Sequence, residues 1–244
     1  MSTQIFLMPP KFTTLFAPLA VIGYCVTHAK VLHPLREVEL GIKTCQHAPH
    51  EKMQDVIVSV MANCSSIKQI DLRIRPDLVL AEAWGRAQCA EQSTLADTLN
   101  AFTETAVTEL RAAVETIHQQ QGQVFHHSFA NELLQLDIDL TGLRASPHAQ
   151  GSTKGYFSGK RNAYGRQVAR ISAPAYRETL FSKLYVGSQH GASVFKSTVL
   201  TAQHLLHLSP EHCRRTLLRT DAGLGTDANI NWALSHNFQV LMKG

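Results

Sequence analysis

Residues 133–143 read Leu-Leu-Gln-Leu-Asp-Ile-Asp-Leu-Thr-Gly-Leu. Leu134, Leu136, Ile138 and Leu140 alternate with Gln135, Asp137, Asp139 and Thr141. A period of two is that of an extended strand with one face in a core, so both aspartates share the other face. Downstream, residues 165–172 and 179–187 carry strand-like patterns, and apolar spacing over 194–206 is that of a helix. Thr216-Leu-Leu-Arg-Thr-Asp221 reads as a further strand, Gly223-Leu-Gly225 as a turn, residues 226–234 as a capped helix and residues 238–243 as a closing strand. The order β-β-β-α-β-α-β makes this part an α/β domain over residues 129–244.

Upstream the period changes. Residues 53–61 and 77–88 fit helices, the second starting just after Pro76. Behind Ser93 and Thr94 as N-caps, Leu95, Leu99, Phe102, Ala106, Leu110, Ala113 and Ile117 recur every three or four residues, which predicts one helix of about six turns. Gly122 after a glutamine run ends it. Residues 51–128 therefore read as a helical region, and residues 1–50, with their many prolines, as a poorly organised leader holding one short helix.

The chain has 23 Lys and Arg against 19 Asp and Glu, a net charge of +4 that hides its distribution. Between Asp139 and Asp221 stand Arg144, Lys154, Lys160, Arg161, Arg166, Arg170, Arg177 and Lys183, with Glu178 the one acid among them and tyrosines interleaved. Such a block suits phosphate contacts and base stacking, with Lys154, Lys160, Arg161, Arg166 and Arg170 the DNA-binding candidates; a solvated basic hairpin has the same composition. Asp139 and Asp221 each stand at the end of an apolar strand. On neighbouring strands they would offer hard oxygen ligands to Mg2+ or Mn2+, although solvated strand-end acids share that placement.

The five cysteines lack paired spacing, which argues for a reducing compartment and against both a disulfide framework and a zinc site from Cys45, His47, His50 and Cys64. The apolar stretch 15–26, broken by Pro18 and Gly23, is shorter than the roughly 18 residues that cross a bilayer. Cytoplasmic, nucleoid-associated placement follows as an expectation, with no small-molecule substrate indicated.

The segments LDIDLTGL, KGYFSGKRNAYGRQ and LLRTDAGLGTDANINWAL resemble insertion-sequence DDE transposases, and residues 80–102 resemble, more faintly, the helical DNA-binding part that precedes the catalytic core in that family. The likeness covers about residues 50–244. It implies a helical N-terminal region followed by an incomplete ribonuclease H-like mixed sheet flanked by helices. An Asp-x-Thr on the first strand and an Arg-x-Asp-x-Gly on the fourth carry the family's first two metal ligands; they match Asp139–Thr141 and Arg219–Gly223. Asp137, on the same strand face, is a reserve candidate.

The resemblance further implies a transposase that binds double-stranded element ends, as a homodimer on DNA, and cleaves and joins strands by divalent-metal phosphoryl transfer. Residues 93–102 would be its recognition helix. The family's third ligand is a glutamate on a later helix. The last acid in this sequence is Asp227, read as the cap of the following helix, so the chain alone is expected not to complete cleavage. The alternative is a non-catalytic DNA-binding remnant, or a repressor that pairs with the full-length enzyme.

Overall fold

The computed structural model describes residues 13–42, 46–157 and 159–242. The chain forms two compact units that divide between Gln121 and Gly122.

The first unit is helical: α1 (Ala17–His28), α2 (Pro49–Met61), α3 (Leu78–Ala83), α4 (Gln92–Asn100) and α5 (Glu104–Gln121), with a 3-10 turn at His33–Glu37 and a π-turn at Ile70–Ile74. Residues 17–38, which the sequence reading assigns to the leader, contribute Leu19, Leu35 and Val38 to buried clusters. Gly23 sits mid-helix because the Trp84 indole lies against it, where a Cβ would collide, while Trp84 Nε1 donates to the Leu19 carbonyl at 3.1 Å. The six-turn helix expected behind Ser93 is two helices. Thr103 accepts from the Ala106 N–H at 3.2 Å and so starts α5, an N-cap that leucine periodicity running across the break conceals. Ser93 and Thr94 are not caps: α4 begins at Gln92, and they lie in its first turn.

The second unit is an open mixed sheet: β1 (Leu134–Arg144), β2 (Thr153–Phe157), β3 (Lys160–Ala173), β4 (Glu178–Val186), β5 (Thr216–Thr220) and β6 (Gln239–Met242). Helix α6 (Gly191–Leu205) and the short α7 (Pro210–Arg214) precede β5, and α8 (Asp227–Ser235) joins β5 to β6. The sheet runs β2-β3-β1-β5-β6, with β4 also on β3. β3 is antiparallel to β1, whereas β1, β5 and β6 are mutually parallel. Apart from the hairpin strand β2 and the short helix α7, which the sequence pattern did not show, the strands and helices come in the order expected. This open mixed sheet of six strands with its helices is the α/β architecture expected, and is consistent with a ribonuclease H-like fold.

Leu134, Leu136, Ile138, Ala169, Ile171 and Leu218 pack with Val194, Phe195, Val199 and Ala202 of α6 in one core. Alternation puts Gln135, Asp137 and Asp139 on the opposite face, with Arg170 and Arg219 beside them by register.

Candidate active site

Parallel pairing of β1 and β5 matches Asp137 with Arg219 and Ile138 with Thr220. That pairing stops one residue short of Asp139 and Asp221, which follow Ile138 and Thr220 on strands about 4.8 Å apart. Asp221 lies just past the end of β5, whereas Asp139, expected at a strand end, stands in the middle of β1, which runs on to Arg144 because β3 continues to pair with it.

Their surroundings differ. Thr141 Oγ1 donates to Asp139 Oδ2 at 2.5 Å, and the Arg170 guanidinium stands 3.9 Å from the same oxygen. Oδ1 of Asp139 has no protein partner among the described residues, and the side chain is 48% exposed. Asp221 begins a tight turn: its Oδ1 accepts from the Leu224 N–H at 3.2 Å, and its carbonyl accepts from Gly225 N–H at 3.2 Å. Buried Asn229 fixes that turn, donating from Nδ2 to the Leu224 carbonyl at 2.7 Å and to the Ala192 carbonyl at 2.9 Å. Asn229 thereby ties α6 to the loop carrying Asp221. Nothing in the linear pattern marks it, since its partners lie in two other segments.

The reserve candidate Asp137 is occupied. Arg219 grips it with two hydrogen bonds, Nε to Oδ1 at 2.9 Å and Nη2 to Oδ2, and Gln135 Nε2 donates to Oδ1 at 3.0 Å. The arginine of the Arg-x-Asp-x-Gly match therefore neutralises Asp137, whereas Asp139 keeps one carboxylate oxygen without a protein partner among the described residues. Asp227 does not cap α8. Thr226 does, accepting from the Asn229 N–H at 3.3 Å, while Asp227 favours the helix dipole from the first turn. Among the described residues no three His, Cys, Asp or Glu side chains gather as a metal-binding group, and Cys45 lies outside them.

The basic block forms the β2–β3 hairpin and β4. Lys154 lies over the Tyr164 ring at 5.7 Å and lines a cleft of about 900 Å³ with Thr141, Gln167, His190 and Gly223. Gly155 and Gly187 bring the hairpin backbone onto the loop after β4, each meeting a carbonyl oxygen where a Cβ would stand. Arg166 is committed to structure, donating from Nη1 to the Gln150 carbonyl at 3.1 Å and from Nε to the Tyr185 carbonyl at 3.5 Å. Arg170 is 53% exposed beside Asp139. The Lys160 and Arg161 side chains lie outside the described residues. In the first unit, α4 buries Leu95 and Thr98 and holds most of the segment proposed for recognition, whose Phe102 falls in the break before α5. No helix among the described residues is long and apolar enough to cross a membrane.

Solved transposase structures are similar to this chain at low identity. A piggyBac transposase synaptic complex with hairpin DNA aligns over 91% of this chain and 50% of its own, with 10% identity and a TM-score of 0.42. A pre-cleavage Mos1 transpososome aligns over 84% and 62%, with 11% identity and a TM-score of 0.28. A Mos1 mariner paired-end complex with Mn aligns over 88% and 66%, with 12% identity and a TM-score of 0.30. This chain therefore spans about half to two thirds of those proteins. No protein-family model and no curated protein sequence matches it.

Proposed function

We propose that the chain is a DNA-binding protein of the DDE transposase type, in which Asp139 and Asp221 hold Mg2+ or Mn2+ against a DNA phosphate. The observation that carries this reading is the β1–β5 register: its last pair, Ile138 with Thr220, immediately precedes Asp139 and Asp221, which supports a shared site for the two carboxylates. Their chemistry fits a hard cation: Asp139 Oδ1 and Asp221 Oδ2 are carboxylate oxygens with no protein donor among the described residues. Bound there, a divalent ion supplies charge neutralisation to phosphate oxygens. Thr141 orients Asp139, the Asp221 turn is locked through Asn229, and Arg170 and Lys154 add positive charge toward a polyanion.

A second reading, binding to DNA without cutting it, is favoured by one observation. Asp137, the acid two residues before Asp139 on the same strand face, is held by Arg219 and so is not free to serve as a further metal ligand. Calorimetry with manganese is expected to show weak binding that Asp139→Asn or Asp221→Asn abolishes; unchanged binding in both variants overturns the metal site. Nicking of supercoiled plasmid that requires Asp139 would select the cutting enzyme, and metal binding without nicking the binding protein.

A further inference from the structure

The helical unit contains a small polar pocket, about 140 Å³, walled by Lys30, His33, Arg36, His50, Arg86 and Glu51. That volume is well below the roughly 300–1,000 Å³ of sites for drug-sized ligands, and amounts to the space of about four or five waters. Cations dominate the wall. Arg86 is already matched, by Asp55 at 2.8 Å and Glu51 at 3.4 Å, and Glu51 also accepts from the Ala48 N–H at 2.7 Å. Those bonds leave the charges of Lys30 and Arg36 uncompensated. The side chains of Lys30, His33, Arg36 and His50 have no hydrogen bond or ion pair among the described residues.

Two features of the backbone hold this arrangement. Lys30 follows α1 with φ of 53°, a left-handed position that glycine usually fills, closed by Lys30 N–H to the Thr27 carbonyl at 3.1 Å and Val31 N–H to the Val26 carbonyl at 3.0 Å. A lysine bears the steric cost of that conformation where glycine would not. On the far wall, Gln54 Nε2 donates to the Trp84 carbonyl at 2.5 Å, and Gly85, at φ of 72°, turns the chain so that Arg86 enters.

We infer that this pocket binds a phosphate group through Lys30, Arg36 and His50, with Arg86 and Glu51 fixed as its floor. A tetrahedral oxyanion fits the volume, and the amine, guanidinium and imidazole groups supply charge-assisted donors to separate oxygens. Burial, and next the Arg36 guanidinium, hold the His50 imidazole below its ordinary value of 6.5; Glu51 acts the opposite way, and Arg86 and His33 push it lower again. A bound dianion would reverse that balance and favour the imidazolium. Inorganic phosphate, a phosphomonoester and a DNA phosphodiester all present this chemistry. The pocket is independent of the carboxylate site, so its failure would leave manganese binding untouched.

The test follows the His50 ring signals by NMR in the full chain during titration with inorganic phosphate, against sodium chloride at equal ionic strength. A saturable rise in the His50 titration midpoint is expected with phosphate and absent with chloride. Lys30→Gln with Arg36→Gln should weaken phosphate at least tenfold, with unchanged circular dichroism; Lys30→Gln alone, which relieves no buried contact, should weaken it several-fold. Displacement of phosphate by a short DNA duplex would assign the site to a phosphodiester, and lack of displacement to a free phosphate. Equal responses to phosphate and chloride, or undiminished affinity in Lys30→Gln, would overturn the inference.

Discussion

Both units hold an aspartate against an arginine, and the two settings give the same chemistry opposite uses. In the helical unit Arg86 and Asp55 are each only 5% exposed, and Asp55 also accepts from the Ala90 N–H at 2.8 Å. In the sheet unit the Asp137–Arg219 and Asp139–Arg170 pairs lie across neighbouring strands on the face away from α6, with every member at least a quarter exposed. A buried pair cannot lose one partner without stranding a charge, whereas an exposed one falls back on water. The first pair is therefore architecture, and the second set leaves carboxylates and guanidinium groups within reach of a ligand.

Breaking the buried pair should produce the largest effect. Arg86→Met is expected to cost about 3–5 kcal/mol in denaturant unfolding near neutral pH, since it strands Asp55. Burial already outweighs the Arg86 guanidinium and the Ala90 N–H, holding the Asp55 carboxyl above its ordinary 3.8. Because folding raises this value, the group's stabilising contribution is complete below 3.8 and is lost as pH rises through the folded value. Removing Arg86 raises the folded value further. The cost should accordingly shrink as the pH is lowered toward 4, and a pH-independent cost would show that Asp55 is not the stranded charge.

A smaller loss, about 1–3 kcal/mol, is expected for Asn229→Ala, which leaves the Leu224 and Ala192 carbonyls without their donor. Manganese affinity should fall with it, because the Asp221 turn is no longer tied to α6. Undiminished affinity would show that the turn holds its shape from its own backbone bonds. The smallest effect is the sharpest test of the basic face. Lys154→Ala should lower the slope of log DNA affinity against log salt by about 0.9, one phosphate contact, while Arg166→Ala should leave it unchanged. A reduced slope in Arg166→Ala would mean that this side chain leaves the Gln150 and Tyr185 carbonyls for phosphate.

Much of the sheet is legible from local pattern. Alternation over residues 134–140 gives β1 and its two faces, and the apolar run of residues 216–220 gives β5, because side-chain direction in a strand repeats every two residues whatever the rest of the chain does. The β2 strand is not legible: burial alternates over Thr153–Phe157, but two of its three inward positions are Thr153 and Gly155, so the apolar pattern shows no period of two. The division between α4 and α5 escaped for the opposite reason, since apolar spacing continued across it while Thr103 supplied the cap.

By itself, the sequence determined that Asp137 and Asp139 share a face and that Asp221 ends a strand. It also showed that positive charge gathers between them. Tertiary structure decided which aspartate is available. Arg219 lies 82 residues from Asp137, and only the parallel register of β1 and β5 joins them. It likewise decided that Arg166 serves the backbone and that Lys30, Arg36 and His50 line one pocket. The physical reason is that local periodicity fixes where a side chain points, whereas its partner is chosen by strand register and helix packing between segments remote in the chain.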